Sequence, residues 1–204
     1  AGLLAGILAC TLRVVYLGAD FKRDGAALLG AGLLGWAAEA WGTSLGLWTY
    51  YTLEIPPLWI VPAWSIGAVV VDRAARNIEA RLPHSSSFQR ALSAVFACVI
   101  VGFSWPAWGH PATWALWAAA AGGLACKPSP RTFSVLAAGA FCVFFADLWG
   151  TSARCWIYWL EDGGWSLRLA GLSFGMALDS ALVAAALAAR DYCWRAREFF
   201  IASA

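Results

Sequence analysis

Long apolar stretches separated by short polar segments dominate this chain, and their lengths are those of helices that cross a bilayer. A stretch of about 17 to 25 mostly apolar residues spans the hydrocarbon layer as a helix. Seven such stretches can be read, at 1–17, 25–46, 57–71, 91–108, 112–126, 132–150 and 165–189. The pattern therefore predicts an all-α, polytopic membrane protein with seven transmembrane helices.

The polar and aromatic positions within these stretches recur along the chain. Two pairs of segments match at a spacing of 108 residues: Glu39-Ala-Trp-Gly-Thr-Ser-Leu-Gly-Leu-Trp-Thr-Tyr50 with Asp147-Leu-Trp-Gly-Thr-Ser-Ala-Arg-Cys-Trp-Ile-Tyr158, and Ser65-Ile-Gly67 with Ser173-Phe-Gly175. Six of the twelve positions of the longer segment are identical, and both copies begin with an acid. A repeat at a fixed spacing marks a duplicated structural unit, so the chain is predicted to be a tandem duplication.

This spacing divides the chain into two repeats and a linker. The first repeat covers 1–82 with three helices and a polar connector, a linker helix occupies 83–108, and the second repeat covers 109–204 with three helices and a polar tail. One intervening helix restores the direction of the chain, so both repeats have the same orientation and are related by an axis along the membrane normal. We expect a 3+1+3 parallel internal repeat with a site between its halves.

Composition and charge agree with a membrane location. Apolar residues make up 61% of the chain and charged residues 13%, against roughly 25% charged residues in soluble domains. Most Lys and Arg residues fall in loops on one side, and such loops are retained in the cytoplasm. We therefore expect an inner-membrane protein with its N-terminus outside and its C-terminus in the cytoplasm. The net charge of +2 reflects this asymmetry, and no basic surface typical of a nucleic-acid partner is visible in the sequence.

Cysteine and histidine positions give no metal-binding pattern. The six cysteines are scattered, without the CxxC or CxxH spacing of zinc sites. His84 and His110 are predicted to lie in loops on opposite sides of the membrane. We therefore expect no metal ion and no haem or di-iron cofactor.

Three carboxylates are predicted to lie at membrane depth. Glu39 and Asp147 occupy matching positions in the repeats, and Asp179 lies near the middle of the last helix. Ionisable groups at such depth are costly and usually functional, so we predict that these three residues are catalytic and that Glu39 and Asp147 face one another across a common cavity. Alternatively, Glu39 and Asp147 accept hydrogen bonds from the Thr and Ser of their motifs, or pair with Arg154 or Arg168, and only hold helices together.

The duplicated motif also supplies candidate ligand-binding residues. Trp and Tyr generally favour the headgroup level of a bilayer, but this does not explain their repeated order relative to an acid. The predicted ligand-binding residues are Trp41, Thr43, Ser44, Trp48, Tyr50, Trp149, Thr151, Ser152, Trp156 and Tyr158. Indole faces stabilise cations, and paired carboxyl groups can exchange protons with an alkene. The constellation is therefore typical of acid/base chemistry on a lipid-soluble polyene or isoprenoid.

The same pattern resembles a known group of proteins. The order acid-x-x-Gly-Thr, then Trp-x-Tyr and a helix containing Pro62, duplicated in a chain with seven predicted helices, is similar to the membrane carotenoid-modifying proteins, which include carotenoid hydratases and heterodimer-type lycopene cyclases. The resemblance covers the second and third helices of each half. It implies a carotenoid-like substrate and no redox cofactor. The cyclases carry paired glutamates soon after a Pro, whereas Pro56-Pro57-Leu58-Trp59 has none, which favours a hydratase-like or pigment-binding protein.

Two other functions fit the same sequence features. The chain could be a non-catalytic subunit of a larger membrane complex, with its Trp-rich face holding pigment, lipid or other membrane subunits. It could also be a parallel-repeat carrier in which the three acids bind a proton or a small polar solute. Membrane lipid is a partner in every case.

Overall fold

The computed structural model describes residues 9, 13, 16, 19–81, 85–125, 129–159 and 164–202. Helices make up most of this part of the chain: α1 (Phe21–Ser44), α2 (Ile60–Arg81), α3 (Ser86–Ser104), α4 (Pro111–Ala125), α5 (Pro130–Ser152) and α6 (Trp165–Ala202). Two short strands, β1 (Trp48–Tyr50) and β2 (Trp156–Tyr158), follow α1 and α5, and a 3-10 turn covers Trp105–Ala107. The all-α class is confirmed. The helix predicted over 1–17 lies outside the described residues, apart from the three isolated positions.

Three segments of the described chain are long and apolar enough to cross a membrane, namely Ser86–Ala107, Pro130–Ser152 and Ser166–Ala196. They support a membrane location. Three described helices are not among them. Helix α4 has only 15 residues, the second half of α2 is rich in Arg, and α1 contains Lys22, Arg23, Asp24 and Glu39. The predicted total of seven spanning helices is therefore not reached by length and composition alone.

Four helices form the core of the protein. Helix α1 packs on α2, α2 on α5, α5 on α6, and α6 on α1, so the four helices close a ring. Small side chains such as Ala27, Ala31, Ala68 and Ala138 are buried in it, which allows the helices to approach closely. Helices α3 and α4 pack on each other and on the outer side of α6.

The two motif helices, α1 and α5, end in the same turn. Backbone N–H groups donate from Leu47 to Gly42 over 2.9 Å and from Cys155 to Gly150 over 2.8 Å. The residue before each donor has a left-handed conformation, with φ of 67° at Gly46 and 55° at Arg154, which is the usual way for a helix to end. The sequence repeat is thus reproduced in the backbone, even where Arg replaces Gly.

The strands after these turns pair with each other in a self-complementary register. They run antiparallel, with Trp48 opposite Tyr158, Thr49 opposite Ile157 and Tyr50 opposite Trp156. Hydrogen bonds of 3.0 Å from Tyr51 to Cys155 and 3.1 Å from Trp159 to Leu47 flank this pairing, and they too are related by the 108-residue spacing. Trp48 pairs with Tyr158, and their counterparts Trp156 and Tyr50 pair with each other. This reciprocity is the pattern that a twofold axis produces.

Candidate functional site

A cavity of about 500 Å³ lies inside the ring of core helices, beneath the paired strands. Its wall is mostly apolar. Its acidic groups are Glu39 from α1, Asp147 from α5 and Asp179 from α6. All three residues predicted to be catalytic are therefore brought to one cavity, although their surroundings differ.

Glu39 has hydrogen-bond donors on both of its carboxylate oxygens. The indole N–H of Trp48 donates to Oε2 over 2.7 Å, the hydroxyl of Tyr50 donates to the same oxygen over 3.0 Å, and the indole N–H of Trp64 donates to Oε1 over 3.0 Å. The residue is 5% exposed. Glu39 thereby joins α1 to β1 and α2, and its oxygens are already engaged without a ligand.

Asp147, the counterpart of Glu39, is held by a single donor. The hydroxyl of Tyr158 donates to its Oδ2 over 2.8 Å. Two differences account for the missing donors. Leu172 stands where the first repeat has Trp64, and Asp is one methylene shorter than Glu. The indole N–H of Trp156 and the second oxygen of Asp147 consequently have no hydrogen-bond partner within the described chain.

Asp179 is a feature of the second repeat alone, since its counterpart in the first repeat is Val71. Its carboxyl group makes no hydrogen bond or ion pair with the described residues. Gly175 lies one turn earlier on α6, and a Cβ at that glycine would overlap the Asp147 carboxylate and the Tyr158 hydroxyl. Residues four apart share a helix face, with about 5–6 Å between their Cβ atoms. Asp147 and Asp179 are therefore close neighbours in the cavity.

The hydroxyl groups of the motif serve the backbone of the helices. Thr43 donates to the carbonyl of Glu39 over 2.6 Å, and Thr151 donates to that of Asp147 over 2.7 Å. Arg168 in turn donates to the hydroxyl of Thr151 over 3.0 Å. The alternative in which the motif hydroxyls bind the carboxylates does not hold for these two threonines, because indole and phenol groups bind the acids instead.

Four of the ten predicted ligand-binding residues line the cavity: Trp48, Tyr50, Trp156 and Tyr158. The other six point elsewhere. Trp41 and Trp149 are 49% and 52% exposed on the outer surface. Ser44 and Ser152 are exposed and, like Thr43 and Thr151, bond to the carbonyl one turn earlier in their own helix.

Sequence reasoning missed Trp64 and the two glycines Gly67 and Gly175, all of which line the cavity. A signal was available for each. Trp64, Ala68 and Val71 recur at the spacing of one helix face, and the glycines belong to the shorter pair of matching segments. Val71 on that face corresponds to Asp179 in the second repeat. This correspondence could have placed Asp179 in the cavity.

Among the described residues, no group of three or more His, Cys, Asp or Glu side chains is arranged to hold a metal ion. Comparison of the chain with protein-family models, with curated proteins and with solved structures gives no match. Its function must therefore be argued from the geometry of the cavity.

Proposed function

We propose that this protein binds a lipid-soluble polyene or isoprenoid in the cavity between its two repeats and converts it by carboxylic acid chemistry. The observation that carries the proposal is the pair Asp147 and Asp179, two neighbouring acids with free hydrogen-bonding capacity in a mainly apolar cavity. A polar substrate would find few partners on such a wall. A hydrocarbon chain with a reactive double bond fits both the apolar wall and the acids.

The surroundings of the two acids assign them different roles. Asp147 accepts a hydrogen bond from Tyr158, which suits the ionised form of a carboxyl group. Asp179 has no donor and no cation beside it in the described chain, and an isolated carboxyl group in an apolar environment is far less costly when neutral. Asp179 is therefore the proton donor and Asp147 the base.

The reaction begins when Asp179 transfers its proton to one alkene carbon, leaving the other carbon as a cation. The faces of Trp48 and Trp156 in the cavity wall stabilise that cation. A water oxygen then bonds to the cationic carbon while one of its protons passes to Asp147, so that water is added across the double bond. Proton transfer from Asp147 back to Asp179 restores both groups. Loss of a proton from an adjacent carbon, without water, would instead isomerise the alkene.

We further propose that the whole chain is a 3+1+3 parallel repeat of seven transmembrane helices with its N-terminus outside. The self-complementary pairing of β1 with β2 supports two repeats related by a twofold axis along the membrane normal, because an inverted repeat would put the two equivalent strands on opposite sides of the membrane. The basic residues of the proposed cytoplasmic side include Arg73, Arg76, Arg131 and Arg190, which meet at the other end of the bundle.

Conversion of an acyclic carotenoid by the purified protein in lipid nanodiscs tests this function. We expect a product heavier than the substrate by one water, or an isomer of it, detected by chromatography with mass spectrometry. Asp179→Asn preserves shape and should lower the rate about a hundredfold or more, the usual contribution of a general acid. Asp20→Asn, at an exposed helix cap outside the cavity, is the matched control. Carotenoid that binds to the wild type unchanged, or full activity in Asp179→Asn and Asp147→Asn, would overturn the catalytic assignment.

A further inference from the structure

Both ends of the cavity along the helix axes are closed. At one end, the paired strands cover it with four aromatic rings that contact each other edge to face or tilted, with ring centroids 6.3 Å apart for Trp48 and Tyr158 and 6.0 Å apart for Tyr50 and Trp156. These strands also carry the donors that bind Glu39 and Asp147. A ligand that entered here would have to break the hydrogen bonds that hold the acids.

An ion-pair network closes the opposite end. Its centre is Asp72, 1% exposed, which directly follows the cavity-lining Val71 on α2. Its guanidinium partners come from α2, α5 and α6: Arg73 at 3.0 Å, Arg76 at 2.5 Å, Arg190 at 3.0 Å, and Arg131. Arg73 also pairs with Asp24 of α1. All four core helices are thus tied together beneath the cavity.

Three of the four seams between the core helices are tightly packed. Between α1 and α2, a Cβ at Gly35 would overlap the ring of Trp64. Between α5 and α6, a Cβ at Gly139 would lie 3.1 Å from that of Ser180. Between α1 and α6, Ala27, Ala31 and Ala186 are at most 3% exposed, and a Cβ at Gly30 would be in ordinary contact with Ala186 at 3.9 Å. A chain could not pass through these seams without separating the helices.

The fourth seam, between α2 and α5, is different. Gly67 lines the cavity, yet a Cβ built there meets no atom within 4 Å. Ala63 and Ile66 of α2 and Ala146 of α5 line the same cavity and are exposed, whereas the lining residues Val71 and Val183 are 2% and 4% exposed. Exposed lining residues mark the rim of an opening, and all three are apolar. This opening lies within the apolar stretch 57–71, which is predicted from the sequence to cross the bilayer.

We propose that the ligand enters the cavity sideways from the bilayer, between α2 and α5, past Gly67. The occupant is an apolar chain, because the residues named at this rim carry no charged side chain that would bind a polar group. The acids Asp179 of α6 and Asp147 of α5 lie inside the cavity. The identity of the ligand rests on the proposed function above. The existence of the opening does not, because an ordinary lipid chain can use it as well.

Photo-crosslinking with a phospholipid that carries a diazirine in its acyl chain tests this opening without a substrate. In nanodiscs containing this lipid, we expect adducts on Val183, which is 4% exposed and lines the cavity, as well as on the outward-facing Phe141 and Phe145. Gly67→Leu fills the opening and should reduce the Val183 adduct at least fivefold while leaving the outer adducts unchanged. Gly102→Leu is the matched control, because a Cβ at Gly102 also meets nothing within 4 Å and the residue is remote from the cavity.

Two outcomes would overturn the lateral opening. One is that the wild type forms no adduct on Val183. The other is that the Gly67→Leu variant, folded as well as Gly102→Leu, forms as much Val183 adduct as the wild type. Neither outcome bears on the proposed reaction, which is tested by the activities of the Asp179→Asn and Asp147→Asn variants. Conversely, a Val183 adduct sensitive to Gly67→Leu, in a protein that leaves every carotenoid unchanged, would support the opening and reject the catalytic function. Thermal unfolding of both leucine variants verifies that the comparison is made between folded proteins.

Discussion

Thr49 of β1 pairs with Ile157 of β2, which is its own counterpart in the second repeat. A residue that pairs with its counterpart lies on the axis that relates the two copies. The local structure around this pair is nearly symmetric, including the left-handed residues Gly46 and Arg154. Below the strands the symmetry is lost, because Trp64 and Val71 of α2 correspond to Leu172 and Asp179 of α6. Glu39 of the first repeat is thus hydrogen-bonded through both oxygens, whereas Asp147 has one donor in the described chain and Asp179 has none.

The glycines that face the cavity give the first prediction. Gly175→Ala would press a methyl group against Asp147 and Tyr158 and should destabilise the protein by about 1–3 kcal/mol, as overpacking usually does. Its counterpart Gly67 has open space around it, so Gly67→Ala should be neutral or stabilise by up to about 1 kcal/mol through the unfolded chain. Thermal unfolding in detergent compares the pair. Equal midpoints for the two variants would contradict the close contact between α5 and α6.

The acids should separate into a structural and a catalytic group. Glu39→Gln leaves at least one of the donors Trp48, Tyr50 and Trp64 without an acceptor, and a buried unsatisfied donor costs about 1–3 kcal/mol. Asp179→Asn removes no hydrogen bond to the described chain and should leave the unfolding midpoint within a degree or two of the wild type while abolishing turnover. Stability and turnover measured on both variants decide the matter. If the Glu39→Gln variant were as stable as the wild type but inactive, Glu39 would have a catalytic role like those proposed for Asp147 and Asp179.

The two strand tryptophans provide an internal control for the same argument. Trp48→Phe removes the N–H that Glu39 accepts over 2.7 Å and should cost about 1–3 kcal/mol. Trp156→Phe removes an N–H that has no acceptor within the described chain and should cost clearly less, although both rings cover a glycine of the preceding helix. Chemical denaturation of both variants measures the difference. Equal losses would mean that ring packing, not the hydrogen bond to Glu39, stabilises the turn.

Much of this arrangement could be predicted from the sequence because it is local or repeated. Apolar run lengths located the described helices, although α2 and α6 continue past the predicted ends at 71 and 189, and the duplicated motif placed Glu39 and Asp147 in equivalent positions. The difference between those two acids could not be predicted in this way. It depends on one methylene and on what α2 and α6 place opposite each acid, and such contacts between distant segments leave no periodic signal. Trp41 lies outside the cavity although Glu39 lies inside it, because residues two apart on a helix face in different directions.

The last prediction concerns the Asp72 network, one residue beyond the predicted span 57–71. Burial of Asp72 opposes ionisation, but the guanidinium groups of Arg190, Arg76 and Arg131 prevail and lower its pKa below the ordinary value. A carboxyl group whose pKa is lower in the folded state stabilises the protein at any pH above its unfolded-state pKa, which is near 3.9. This stabilisation is lost as the pH falls through the folded-state pKa.

Asp72→Asn removes the charge and leaves buried guanidinium groups without their acceptor, which typically costs about 3–5 kcal/mol. The unfolding midpoints of this variant and the wild type should therefore differ most near neutral pH. The difference should narrow only below about pH 4, where Asp72 of the unfolded chain begins to take up a proton while the folded protein still holds it ionised. Glu54→Gln, at an exposed position, should follow the wild type throughout. A difference that disappears already between pH 7 and 5 would show that Asp72 is not held in its charged form by these arginines.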